Sequence, residues 1–213
     1  MKLVVVDYES GNLRSVSRAL ESFGIAPLVS GNPHDLPDAD AVVLPGVGSG
    51  PAAMTALRQR DLVEPLREFA GSGRPFLGIC LGLQLLLDWT DEEGGAPCLG
   101  IVPGRVKRLP ESGDGRAMKI PHMGWNSVGL TESHPALNDV VSGSYFYFVH
   151  SFYAEPSEQG GVVGTTEYGL PFCSVYAKGN VVATQFHPEK SGPTGLRIYR
   201  NFVAMAASGS PTS

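Results

Sequence analysis

Continuous apolar runs of four or five residues alternate with amphipathic stretches through the first ninety positions. Residues 2–6 form the first run and stop at Asp7. Unbroken apolarity over so short a length is the pattern of a strand buried on both faces. The next stretch places Leu13, Val16, Ala19, Leu20 and Phe23 on one helical face, with Gly24 set to cap it. Residues 25–29 and 41–44 read as two further strands, the second running into Pro45-Gly46-Val47-Gly48-Ser49-Gly50. A helix is expected over 52–70, with Pro65 either breaking it or opening a new first turn. A strand over 75–79 and a helix from Leu81 to Trp89 follow. Strands and helices alternating in this way predict a mostly parallel, doubly wound α/β sheet with helices on both faces.

From about residue 100 the period shortens. Runs at 102–108, 145–149, 162–167, 172–176 and 181–186 are separated by glycine or charged turns, which predicts an added antiparallel portion. A last helix over 194–206 carries Leu196, Ile198, Tyr199, Phe202 and Val203. The small, polar tail 207–213 predicts disorder, leaving 1–206 as one domain.

Composition narrows the class. A chain of 213 residues with 21 acidic against 16 basic side chains lacks the basic footprint of a nucleic-acid binder. No apolar run approaches the ~20 residues of a membrane span, and Asp7 cuts off any signal-like segment. Cys80, Cys98 and Cys173 are odd in number and scattered, so neither a disulfide framework nor a metal site is expected, nor a cofactor. The expectation is a soluble, reduced, cytoplasmic protein.

Chemistry concentrates at three places. A buried run leads into Cys80 and an apolar helix begins at once, with Gly78 and Gly82 flanking the cysteine at minus two and plus two. That spacing suits a strained strand-to-helix turn presenting a nucleophile, and a helix N-terminus favours the thiolate. A core cysteine is the rival reading, against which the two glycines weigh. Downstream, a strand ends in His187-Pro188-Glu189; in extended backbone the imidazole and carboxylate share a face, as base and orienter. A solvated His-Pro turn is the plain alternative. The other histidines, His34, His122, His134 and His150, have no acidic residue so placed. Finally, the 45–50 loop supplies backbone N–H groups for an oxyanion, Gly48 together with Leu81 just after the nucleophile. Phosphate binding competes for this loop, but the third glycine of a dinucleotide fingerprint and the Gly-Lys-Ser/Thr of a phosphate loop are absent.

Cys80 in Gly-Ile-Cys-Leu-Gly-Leu-Gln, with His187 and Glu189 in His-Pro-Glu, resembles the class I (triad) glutamine amidotransferases. Within that class the chain is similar to the glutaminase subunits of imidazole glycerol phosphate synthases. The residues that carry this narrower likeness are Asp7–Ser15, Pro45–Gly48, Pro121-His122-Met123-Gly124-Trp125-Asn126 and Gln185–Ser191. The resemblance implies glutamine as substrate and a (β/α)8 cyclase subunit as partner, which receives ammonia and makes imidazole glycerol phosphate and an aminoimidazole carboxamide ribonucleotide for histidine and purine synthesis. It further implies that Gln84, Glu92, Ser151 and Phe152 contact glutamine, and that Asn12, Trp125, Tyr147 and Lys190 sit near the cyclase. Glu9 stands where such subunits usually have glycine, and Ser49-Gly50-Pro51 also departs from their pattern. A different amidotransferase, a stand-alone cysteine hydrolase and an inactive regulatory subunit are the remaining alternatives.

Overall fold

The structure is a computed structural model that describes residues 1–9, 12–113 and 116–209. Ser10 and Gly11 of the N-terminal motif, and the end of the expected tail from 210, lie outside the described residues. Four strands begin the chain: β1 (Leu3–Val6), β2 (Leu28–Ser30), β3 (Ala41–Gly46) and β4 (Phe76–Cys80). They lie parallel in the order β2-β1-β3-β4, and the strand Val181–Thr184 joins β4 in parallel. Beyond it the sheet turns antiparallel through Pro171–Lys178, Phe152–Pro156 and Gly104–Arg108. A hairpin of His122–Leu130 and Ser144–His150 branches off through Val162–Glu167. A mostly parallel core with an antiparallel extension is thus the observed architecture.

The central strands separate two apolar layers. Val4, Val6, Val42 and Leu44 pack with helices α2 (Gly50–Gln59) and α3 (Val63–Gly71) on one side. Leu3, Val5, Ala41 and Val43 pack with α1 (Leu13–Glu21) and the C-terminal helix α5 (Gly192–Ser208) on the other. Alternation of β-strand side chains sends successive valines into opposite layers, so both faces must be apolar.

Several boundaries differ from the pattern-based expectation. The helix expected over 52–70 is two helices, parted at residues 60–62 where Asp61 takes a φ of +54°. Pro65 sits in the first turn of α3, where a missing N–H costs nothing. The helix expected from Leu81 to Trp89 is the short α4, Leu81–Leu85. Its end is captured by a loop: the amides of Leu99, Ile101 and Gly100 bind the carbonyls of Leu85, Leu86 and Leu87. The chain then leaves to pair Trp89–Thr90 with Arg105–Val106. The strands His122–Leu130 and Phe152–Pro156 were not expected, and α5 extends to Ser208, taking in Ala207 and Ser208 of the expected tail. No described helix is long and apolar enough to cross a membrane.

The turn at Cys80 is built by close approach. A Cβ on Gly82 would lie 2.0 Å from the Leu44 carbonyl oxygen, and one on Gly78 would lie 3.0 Å from the Gly82 carbonyl. Gly82→Ala must therefore push α4 off β3. Overpacking of this kind costs about 1–3 kcal/mol, so the unfolding midpoint should fall by roughly 3–10 °C in a thermal melt. An unchanged midpoint would show that the contact yields freely.

Candidate active site

Strand register assembles the site at the carboxyl ends of three neighbouring parallel strands. Gly46 of β3 pairs with Cys80 of β4, and Thr184 of the next strand pairs with Ile79. The Val47-Gly48 loop and the 185–190 segment consequently flank the cysteine from opposite sides. Cys80 is buried and adopts φ +54°, ψ −104°, a backbone that an L-residue holds only under strain. Because α4 has five residues, the dipole at its N-terminus is that of little more than one turn, weaker than the sequence suggested.

Beside Cys80 stands His187. Its Nδ1 and Glu189 Oε1 are 2.7 Å apart, with both side chains almost fully enclosed. Pro188–Lys190 forms a single 3₁₀ turn, so a turn makes the contact that extended backbone was expected to make. Glu189 also accepts from Asn12 Nδ2 and from the Tyr199 hydroxyl at 3.4 Å. Asn12, at the N-cap position of α1, makes no capping bond with its side chain and gives it to the carboxylate instead. Burial opposes a charged His187, but the adjoining Cys80 and the Glu189 carboxylate outweigh it and push its pKa up to about 9. The same carboxylate and full burial raise the Tyr199 phenol well above its ordinary value, burial being the larger cause.

A cavity of about 360 Å3 opens over Cys80. Val47, Gly48, Leu81, Gln84, Glu92, Ser151 and Phe152 line it, together with Pro121, Val149 and His150. All the residues read from sequence as oxyanion or glutamine contacts are therefore brought to one chamber. Gln84 Nε2 is held by the Phe152 carbonyl at 2.8 Å and by Gln185 Oε1 at 3.2 Å. Glu92 Oε2 accepts from the Gly50 amide at 2.7 Å, a carboxylate at the first turn of α2, and burial raises its pKa. Ser49 caps the same helix, its hydroxyl accepting from the Ala52 amide. Glu9, the other departure, pairs with Arg60 at 2.5 Å.

Trp125, Tyr147 and Lys190 form one cluster near His187, with Trp125 and Lys190 exposed and Tyr147 half-buried. Trp125 and Tyr147 are cross-strand partners with ring centroids 6.3 Å apart, and Lys190 Nζ lies 5.9 Å from the Tyr147 ring. Met123 and Trp125 are 59% and 56% exposed, an apolar surface on the outer face of the hairpin. The Tyr147 carbonyl accepts from the His187 amide at 2.9 Å, so this surface is hydrogen-bonded directly to the His187 backbone. Asn12 reaches the buried Glu189 carboxylate, next in sequence to Lys190.

Sequence reasoning passed over Gln185, Tyr199, His122 and His150. Gln185 is fully buried and points Nε2 at the Cys80 sulfur, 3.7 Å away. It is the residue two before His187, and the alternation of the strand could have placed it on the cysteine's side. Tyr199 reads as an ordinary apolar helix position, and nothing local marks its contact with Glu189.

The chain has counterparts among known proteins. The model of the family described as glutamine amidotransferase class-I matches residues 4–206. The imidazole glycerol phosphate synthase subunit HisH of Methanosarcina acetivorans is 46% identical over 206 residues, covering 96% of this chain and 98% of that protein. The same subunit of Dehalococcoides mccartyi is 44% identical over 204 residues, covering 96% and 97%. Among solved structures, PurLQS from Thermotoga maritima superposes with a TM-score of 0.74 at 19% identity, over 95% of this chain and 97% of that one, a likeness of fold. The chain belongs to the class-I glutamine amidotransferases and, within them, to the HisH subunits of imidazole glycerol phosphate synthase.

Proposed function

We propose that the chain hydrolyses glutamine to glutamate and ammonia through a thioester on Cys80 and hands the ammonia to a cyclase subunit for histidine synthesis. One observation carries the reading: Cys80, at a strained strand-to-helix turn, faces His187, whose far nitrogen is held 2.7 Å from the enclosed Glu189. The Cys80 proton passes to His187, and the thiolate attacks the carboxamide carbon of glutamine. Backbone N–H groups of Gly48 and Leu81 meet the oxyanion; as the first residue of α4, Leu81 has no intrahelical acceptor for its amide. His187 then protonates the departing nitrogen, leaving an acyl-cysteine. Water, giving its proton to His187, attacks the thioester; glutamate leaves and the proton returns to sulfur. Gln84 and Glu92, with the backbone of Ser151 and Phe152, form the wall that selects glutamine. Residues 1–206 act as one amidotransferase domain.

The cyclase docks on the face bearing Trp125, Tyr147 and Lys190, with Asn12 reporting through Glu189. The support is physical: an aromatic pair of the kind that anchors interfaces, Trp125 exposed and Tyr147 half-buried, sits one hydrogen bond from the His187 backbone. The test is the glutaminase rate of the isolated chain, then with a cyclase subunit and its nucleotide ligand. Strong stimulation is expected. A rate indifferent to the cyclase would overturn the assignment of partner, and no glutamine hydrolysis under any condition would overturn the chemistry.

A further inference from the structure

Two histidines that the mechanism does not use lie edge to face beside the glutamine chamber, ring centroids 5.0 Å apart. His122 opens one hairpin strand and His150 closes the other, paired across the ladder. His122 Nδ1 and His150 Nε2 are 2.9 Å apart, and both residues are buried. His122 is stacked against Tyr168 and Phe148, centroids 4.0 and 4.8 Å away, so its ring plane cannot rotate freely.

The neighbours decide where each proton sits. His150 Nδ1 lies 2.9 Å from the Phe152 carbonyl, which can only accept, so His150 carries its proton on Nδ1. In the neutral ring Nε2 is then an acceptor, and His122 must donate to it from Nδ1. His122 Nε2, left bare, faces Asn126 Nδ2 at 3.3 Å. The orientation of that amide is fixed independently: Oδ1 accepts from the Ser127 amide at 2.8 Å and Nδ2 donates to the Glu167 carbonyl at 3.0 Å. Directionality imposed at the two ends agrees in the middle. Burial holds both rings neutral, with pKa values lowered to about 4 for His122 and about 3 for His150. His122, His187 and the Phe152 carbonyl are the groups that act on His150, and the carbonyl alone favours its charge.

The chain of bonds ends on the chamber wall. The Phe152 carbonyl that receives His150 also receives Gln84 Nε2 at 2.8 Å, and Gln84 leads through Gln185 to the Cys80 sulfur. Val149, next to His150, offers the carbonyl found 4.0 Å from that sulfur. We propose that His122 and His150 are positioning residues for the glutamine site, a neutral pair with one proton order that fixes the Val149–Phe152 wall against Gln84 and Cys80. This rests on the glutaminase reading above and adds to it a specificity element outside the triad. The pair touches neither the reacting carbon nor the thiol, so its loss should weaken glutamine binding more than the chemical step.

Two measurements test it. Nitrogen-15 spectra of the histidines in the full chain at pH 7 should show both rings protonated on Nδ1, the arrangement a free imidazole disfavours. A proton on Nε2 of either ring would overturn the proposal, whatever the activity proves to be. In the complex with a cyclase subunit, His150→Leu should raise KM for glutamine about tenfold or more, with kcat changed less than about threefold. His150→Asn keeps a donor for the Phe152 carbonyl and should hold KM within about threefold of wild type. A loss in kcat at constant KM, or an asparagine variant no better than leucine, would overturn the positioning role. A wild-type complex that hydrolyses no glutamine would refute the glutaminase reading instead, while the spectra still judge the pair.

Discussion

Replacing Cys80 by alanine is expected to lower glutamine hydrolysis by about 10^4–10^6-fold while leaving ammonia-driven synthesis by the cyclase intact. The size follows from the route. Without sulfur there is no acyl-enzyme, and water would have to attack an unactivated carboxamide directly. Neither other cysteine can stand in. Cys173 is a buried strand residue whose thiol burial pushes up to about 12, and Cys98 lies outside the chamber with its thiol raised to about 11. Burial is the largest cause in both cases, and a thiol held in that range is not a nucleophile at neutral pH. Brief treatment with a glutamine-like alkylating agent should accordingly label Cys80 alone, and Cys80→Ala should take up none. Glutamine-dependent turnover surviving in Cys80→Ala would show that the nucleophile lies elsewhere.

The tight turn at Cys80 and the His187–Glu189 contact were legible because each is written in local chemistry. Gly78 and Gly82 announce a turn too tight for side chains, and the built contacts at 3.0 and 2.0 Å are the steric reason. His187 and Glu189 are two residues apart, so nearly any compact turn brings them together. The parallel core was legible for a similar reason: doubly buried strands have no polar face, and their runs stand out.

What escaped depends on partners far away in the sequence. Leu86 and Leu87 look helical until the amides of residues 100–102 take their carbonyls, and no local signal announces that capture. The strand His122–Leu130 mixes exposed Met123 and Trp125 with two glycines and three polar residues, and only pairing with Ser144–His150 makes it a strand. Histidines 122 and 150 are 28 residues apart, and their relation exists only through that ladder. Tyr199 is the sharpest case: an apolar helix position by its spacing, a donor to the Glu189 carboxylate by its tertiary setting.

Glu189→Gln is expected to cost about 10^2–10^4-fold in kcat and to move the pH dependence of the enzyme. The substitution removes charge with little change of shape. Asn12 Nδ2 donates to the oxygen that also faces His187, so the glutamine carbonyl should remain on that side, with its amide toward the Tyr199 hydroxyl, which can accept. The His187 tautomer is therefore preserved, and the loss should fall toward the lower end of the range. In Glu189→Gln with Asn12→Ala the amide is free to turn its N–H groups to His187, and the loss should move toward the upper end. Stability carries the same signature. His187 has its pKa raised from 6.5 to about 9 in the folded chain, so its contribution to stability is complete below 6.5 and is lost as pH rises through about 9. With the carboxylate gone, burial, the largest influence and a lowering one, is opposed by Cys80 alone. The fall in thermal stability should then occur at lower pH in Glu189→Gln than in wild type. Melting curves from pH 6 to 10 read this directly; coincident pH profiles would mean that Glu189 does not hold the charge on His187.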